Sequence, residues 1–566
     1  MLRRDFKGLA LGAVILAGFS GCQDLDVTNV NDPDRARALA DPNALQSLIA
    51  GGFEDWFTAQ HGSSRANLFM NYATEMTSTT NLFGFFTEGI EPRIAHGNLV
   101  NIPALVGVFG PRDHWEDMLG VASLADDLLR ATDPAGQAPI TIVINGVDET
   151  PRARAFAKMM QGLAWGVMAN LYDQVLVLSE TDEIPTDIPG AVDLIITSDE
   201  ALDVALDALE EAKTIATDNG VTFPDRTDAG LGLWFLSPDE ITTAKFVQMA
   251  NTFAARFIVL NARTPTERAA VDWARVLSYT NAGLTSDVEV VLETGLTSTL
   301  YSAAQDEVIG CTSCYRWDNL LIGHADVSGN YQTWLAAPLS SKNAFQITTP
   351  DRRITGATPT SAGSYTRYLS SMGCCLSSRP FYFRSNYQWR RHAHDLGLTG
   401  AREHGNNMGV ARIATADENR LYAAEAYFHQ NNLQMAADLI NVTRTRTRVM
   451  SNGSTAPGLP AAVTQGAPHS TPIANDCVPR TDAGECGDLH VALWWERMVE
   501  NAGLDAVRGY LDSRAFGLTR QDSYIELPVP ANELDQLQLP LYTFGGAGGA
   551  SSAVYAPVGG GWSGTP

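Results

Sequence analysis

Apolar and small residues recur at helical spacing through most of this chain, and one pair of segments constrains the fold most. Between 417 and 449, Leu421, Ala424 and Phe428 share a helical face, and Ala423 and Ala426 permit close approach. Asp417 is placed to cap that helix, and Asn431-Asn432 breaks it. Met435, Ala436, Leu439, Ile440 and Thr443 then form the next inward stripe. Such a hairpin cannot bury its apolar face alone, so it demands stacked neighbours. Other helices are expected at about 111–131, 151–174, 199–217, 238–263, 266–280 and 489–512. A further one starts at Asp41-Pro42, with Leu45, Leu48, Ile49, Phe53 and Trp56 at helical spacing.

The predicted fold class is mostly α: a scaffold of tetratricopeptide-like helical hairpins carrying a loop-rich, short-strand region. Residues 151–174, with Ala155, Phe156, Met159, Leu163, Ala164, Val167 and Leu171, supply half of another pair. Strict self-similarity is absent, so repeats of this kind have diverged. The alternation at 140–147, closing on Asn145-Gly146, predicts a short hairpin. From about 281 to 410 helical periodicity fades while Gly, Ser and aromatics rise, so ligand-binding loops are expected there, on a scaffold spanning 41–280 and 411–540. The uncharged, Gly-rich stretch 541–566 reads as a tail.

The first thirty residues read as targeting. Arg3, Arg4 and Lys7 precede an uncharged run from Gly8 to Phe19, too short to span a bilayer, and Phe19-Ser20-Gly21-Cys22 suits a lipoprotein signal over 1–21. Cys22 would be acylated and residues 22–40 would form an extended tether. An ordinary secretory signal is the alternative. Cleavage removes a net +2 from a chain of net charge −25, leaving −27. That excess repels phosphate backbones and argues against nucleic-acid binding. Six cysteines remain: Cys311, Cys314, Cys374, Cys375, Cys477 and Cys486. In an oxidising compartment they suggest disulfides, and Cys477 and Cys486, flanking a short Pro-, Asp- and Gly-rich loop, are expected to pair. The other four leave open a thiolate zinc site, which adjacent cysteines suit poorly.

Catalytic signatures are scarce. Gly559 to Gly564 fits a dinucleotide pattern but has no flanking strand or helix. His392, His394 and Asp395 suggest a metal only weakly beside Arg390 and Arg391, and Glu496 and Glu500 sit one turn apart near Arg497 and Arg508, which favours structural pairing. No cofactor, no metal and no enzymatic activity are expected. Two aromatic clusters look better suited to binding: Asn81, Phe83, Phe85 and Phe86, then Tyr315, Trp317 and Asp318 with Tyr331 and Trp334. Aromatic faces stack on sugar rings while Asn and Asp bond hydroxyls, and peptides can use the same platform. The competing reading is that these aromatics are core.

An ordered set of segments resembles the SusD/RagB family of outer-membrane lipoproteins. They are Cys22 to Asn29 with Asn31-Asp32-Pro33; Arg152 to Phe156 through Asn170-Leu171-Tyr172-Asp173; Arg420 to Ala426 with Ala436 to Asn441; and Trp495-Glu496-Arg497 with Leu527-Pro528-Val529-Pro530. Asp173 stands where the family has Gly, and Asn501-Ala502-Gly503 departs from its Glu-Gly step. The resemblance implies four tetratricopeptide-like units and a lipid-anchored place on the cell exterior. It also implies a SusC-like TonB-dependent transporter as partner, with oligosaccharides or, in some members, oligopeptides as ligand. It transfers no individual ligand residue.

Overall fold

The computed structural model describes residues 42–61, 77–78, 101, 111–132, 139–183, 185–228, 234–292, 316–338, 341–370, 385–389, 409–450, 452–468, 476–501, 508–518 and 525–542. Helices dominate. In chain order the principal ones are α1 (Pro42–His61), α2 (Pro111–Thr132), α3 (Thr150–Leu171), α4 (Ser198–Asn219), α5 (Thr243–Asn261), α6 (Trp273–Asn281), α7 (Ala416–His429), α8 (Leu433–Arg444), α9 (Leu489–Asn501) and α10 (Arg508–Ala515). Each packs on its neighbour in sequence or the next but one, so the array is a run of stacked hairpins.

Helix α3 is the hub. It is buried on nearly every side from Ala153 to Leu171, which is how an all-round apolar helix must sit. Two glycines set its spacing. A Cβ on Gly162 would lie 2.6 Å from Leu209 Cγ of α4, and one on Gly166 would lie 2.3 Å from the Phe257 ring of α5. The main core runs from these helices to Trp115, Phe156, Phe223, Trp234 and Phe253.

Several boundaries differ from expectation for local reasons. The 417–430 helix is capped by Thr415, not Asp417: Thr415 Oγ1 accepts from Glu418 N at 3.0 Å in a capping box. Asp417 instead pairs with Arg420 and Arg446. The next helix stops at Arg444, whose carbonyl accepts from Leu459 N at 2.8 Å, and Arg448–Val449 then pair with Thr455–Ala456. The 266–280 segment is two helices, because Asp272 caps a new start with Arg275 N donating to its Oδ1 at 3.0 Å. The expected 489–512 helix is resolved as α9 and α10, with 502–507 outside the described residues. The 238–263 helix begins only at Thr243, behind an N-cap at Thr242. The small hairpin forms: Val143–Ile144 pairs with Val147–Asp148 about Asn145 and Gly146, both at positive φ (52° and 81°).

Two motifs far apart in sequence meet at the end of α3. Leu527 N donates to Leu171 O at 2.7 Å, Asp173 N donates to Leu527 O at 2.9 Å, and Tyr172 bridges Leu527 in parallel. Arg263 donates to the carbonyls of Ala169 and Tyr172 at 2.9 and 2.8 Å, and Arg514 to Asn170 O at 2.6 Å. Guanidinium groups thus satisfy the orphan carbonyls of a buried helix terminus.

A second, smaller core gathers the loop-rich region onto α9. Trp317, Leu320, Leu321, Tyr331, Trp334, Ile347, Ile354 and Tyr387 pack with Trp494, Trp495 and Met498. A third joins α7, α8 and α9 beside the disulfide Cys477–Cys486. Cys22, Cys311, Cys314, Cys374, Cys375, the 22–40 tether and most of the tail lie outside the described residues.

Candidate functional site

The joint that holds the loop-rich region is a buried network of charge. Arg353 donates to Asp351 Oδ2 at 2.7 Å, to both Glu496 oxygens at 2.7 and 2.8 Å, and to Glu500 Oε1 at 3.0 Å. Arg448 Nη2 and Tyr365 OH complete Glu500 at 2.9 Å each, and Thr443 Oγ1 donates to Glu496 at 2.9 Å. Burial alone would push the Asp351 carboxyl up, but Arg353 outweighs it and holds the pKa below the usual range. Glu496 and Glu500 are therefore structural, as the sequence indicated, yet through Arg353, Arg444 and Arg448. Arg497 and Arg508 serve other carboxylates.

Those carboxylates lie on one face of α7, where Glu418, Tyr422, Glu425 and His429 are spaced by helical turns. Arg256 grips Glu418 at 2.6 and 2.8 Å, and Arg508 adds a contact at 2.9 Å. Arg268 grips Glu425 at 2.6 and 2.8 Å, and Arg497 joins Glu425 to Asp512. Burial raises the Glu425 pKa, but Arg268 and Arg497 together carry it well below the carboxylate range. Acidic side chains at inward positions of an Ala-rich helix were the legible signal for this column.

The predicted ligand residues divide. Trp317, Asp318, Tyr331 and Trp334 are no more than 5% exposed, so their reading as a ligand-facing platform is corrected: they are core. Trp317 Nε1 donates to Thr366 Oγ1 at 3.2 Å, and Asp318 caps a short helix through Leu320 N at 2.8 Å. Tyr331 stacks near Trp334 at 6.2 Å and donates to Asp482 Oδ1 at 3.0 Å. Lys342 Nζ covers the Trp334 ring at 4.3 Å. Loops that carry several large aromatics must bury them somewhere, and here they build their own core. Asn81, Phe83, Phe85, Phe86 and Tyr315 lie outside the described residues, as do His392, His394 and Asp395.

A two-stranded ladder nonetheless ties the two aromatic clusters together. Strand β1 (Thr77–Ser78) runs antiparallel to β2 (Arg316–Trp317), with Thr77 opposite Trp317 and Ser78 opposite Arg316. The chain toward Asn81 and the chain back to Tyr315 therefore leave the ladder at the same end. Beside it, Arg316 Nη1 donates to the carbonyls of Leu369 and Asn386 at 3.2 Å each. That contact anchors the pair β3 (Thr366–Tyr368) and β4 (Tyr387–Trp389). Here a half-exposed Tyr368 hydroxyl accepts from Gln346 Nε2 at 3.4 Å and Asn386 Nδ2 at 3.3 Å. Arg367 Nε meets Gln388 Oε1 at 2.8 Å on the same pair of strands. Tyr368 with the amides of Gln346 and Asn386 is a small polar-rimmed surface suited to hydroxyl-rich ligands, while the Arg367–Gln388 pair lies on the other face of the strands. Nothing in the sequence separates the partly exposed Tyr368 from Tyr365, three residues earlier, which is buried.

The architecture has known counterparts. A SusD superfamily protein from Parabacteroides distasonis superposes with a TM-score of 0.54 at 10% identity, over 88% of this chain and 98% of that one. This chain has the SusD fold. A SusD homolog from Bacteroides uniformis matches at TM-score 0.49 and 12% identity, over 88% of this chain and 94% of its own, and a SusD superfamily protein from Bacteroides vulgatus at 0.48 and 11%, over 85% and 89%. No protein-family profile and no curated protein matches in sequence. Helices α7, α8 and α9 form at the late segments that carry the resemblance. No helix among the described residues is long and apolar enough to cross a membrane.

Proposed function

We propose that the chain is a non-catalytic cell-surface lipoprotein that binds oligosaccharides and passes them to a TonB-dependent outer-membrane transporter. The observation that carries this reading is the SusD fold, spanning 98% of a solved SusD superfamily protein, in a chain that opens with a lipoprotein-like signal. Acylated Cys22 anchors it, with the mature body facing the cell exterior. Ligand contacts fall at the open end of the Thr77–Ser78 and Arg316–Trp317 ladder. Asn81, Phe83, Phe85 and Phe86 follow Ser78 in sequence and Tyr315 precedes Arg316, and Arg316 is bonded to Asn386, which with Gln346 reaches the Tyr368 hydroxyl. The rigid second core beneath reduces the ordering cost of binding.

The test is calorimetric titration of the soluble mature chain, starting at Gln23, against neutral oligosaccharides and mixed oligopeptides. Phe86→Ala and Tyr368→Ala run in parallel. Saturable sugar binding, weakened about twofold to tenfold in either variant with the fold intact, supports the reading, since stacking contributes about 0.5–1.5 kcal/mol. Binding of basic peptides alone replaces sugar with peptide as the ligand class, in keeping with a net charge of −27 after cleavage. Product formation from any ligand overturns the non-catalytic assignment.

A further inference from the structure

At the C-terminal end of α7 and the start of α9, three potential metal ligands face one point. His429 Nε2 lies 3.9 Å from Glu425 Oε1, and His490 Nε2 lies 4.0 Å from the same oxygen. All three ligand atoms fall within 4.8 Å of one another. Those separations are too long for hydrogen bonds. Neither Nε2 atom has a hydrogen-bond partner among the described residues, although both are shielded from solvent.

The rings are held in place. His429 stacks on Trp273, with centroids 4.4 Å apart and planes 5° from parallel. His490 lies between Phe428, at 4.7 Å and 5°, and Phe516, at 4.4 Å. Glu425 is fixed by Arg268 and Arg497. An ionised carboxylate offers about four lone-pair positions. Arg268 Nε occupies one on Oε1, while Arg268 Nη2 and Arg497 Nη1 occupy those on Oε2. The position left over is on Oε1, the atom nearest both imidazoles.

We propose that Glu425, His429 and His490 form a binding site for a transition-metal ion of the zinc class. Ligand distances of about 2.0–2.2 Å around a tetrahedral ion require the three atoms to close by roughly an ångström, within reach of small side-chain rotations. Two imidazoles and one carboxylate are a recognised donor set for zinc with a fourth position left to water. The neighbouring charge sets the selectivity. Arg268 and Arg497 already balance Glu425 and Asp512, so no surplus negative charge attracts calcium or magnesium. The gain must come from nitrogen coordination, which favours zinc, nickel or copper. The bound ion would clamp the first turn of α9 to α7, on a different face of α9 from the Glu496 and Glu500 of the Arg353 network.

The mature chain is stripped with a chelator, then titrated with zinc chloride by calorimetry and with cobalt(II) chloride by visible absorption. The expected result is one ion per chain, with cobalt bands of a low-coordinate, nitrogen-containing site. His429→Ala and His490→Ala should each weaken binding at least about tenfold, since loss of even an outer partner of a metal ligand costs about 10–100-fold. Melting without metal reports whether each variant folds. If a variant fails to fold, diethyl pyrocarbonate labelling of the wild-type chain decides, with zinc protecting His429 and His490. Absence of saturable binding, equal binding of calcium, binding that survives both substitutions, or labelling indifferent to zinc overturns the proposal.

Discussion

The main core and the second core solve the same problem with different materials. Around α3, burial is apolar and spacing comes from small residues, with Gly162 and Gly166 admitting Leu209 and Phe257. Under the loops, the apolar cluster is smaller and is locked to α9 by Arg353, Arg444 and Arg448 against Asp351, Glu496 and Glu500. Helices around α3 meet mainly through apolar and small side chains, whereas α7 is tied to its neighbours by Arg256–Glu418 and Arg268–Glu425. Loops cannot bury backbone regularly, so their position depends on bonds that tolerate little displacement. The lesson is that the packing around α3 owes its geometry to shape, while the loop-rich half and the α7 face owe theirs to buried polar contacts.

The sharpest way to break that contrast is Arg353→Ala. It leaves Asp351, Glu496 and Glu500 short of a shared cation in the interior, so a loss of about 3–5 kcal/mol is expected in urea unfolding. A loss under about 1 kcal/mol would mean that packing, not charge, places the loops.

Asp126→Asn probes the main core's own polar exception. Burial is the chief cause that raises the Asp126 pKa to about 7, with Glu180 adding to it and the Gln161 hydrogen bond opposing it. A raised folded pKa keeps the proton bound, so this group's contribution is full below about pH 4 and is lost as pH rises toward 7. The Asn variant lacks that loss, and its advantage over the parent in thermal melting should grow between pH 4 and 7, reaching on the order of a few kcal/mol. A difference that stays constant with pH defeats the assignment.

Replacing both Cys477 and Cys486 with Ser opens a short cross-link and should cost about 2–3 kcal/mol, read by denaturant midpoint. Gly166→Ala is the smallest expected effect. A new Cβ against the Phe257 ring costs about 1–3 kcal/mol of overpacking, partly offset by better helix propensity of up to about 1 kcal/mol. A Gly166→Ala variant as stable as the parent would mean that close approach to Phe257 does not set the spacing around α3.

Helical periodicity was enough to locate α2, α3, α4, α7 and α8 to within a few residues, because each has one face that must be buried. Caps were less legible. Thr415 and Asp417 are both good N-cap types, and only the reach of Glu418 back to Thr415 separates them. In the loop-rich region, composition revealed that aromatics gather but not which way they face. Trp317 and Tyr331 pack inward because Trp494 and Trp495, some 160 residues later, need partners. Tyr368 is only partly buried, packing edge-on against Tyr387 at the rim of that core. The triad was equally hidden: Glu425 and His429 stand one turn apart on α7, but His490 comes some 60 residues later on α9, and nothing in the sequence joins it to them.

The bond pair between Leu171 and Leu527 has a bearing on how the chain matures. Asn101 reinforces it from further back, donating to Val529 O and accepting from Ala531 N, each at 2.9 Å. The hub helix is thus finished by residues more than 350 positions downstream. Loop closure over such a span is slow and comes late. The polypeptide cannot complete its central helix terminus until nearly all of it has been synthesised, so its hub locks only after its last segments arrive.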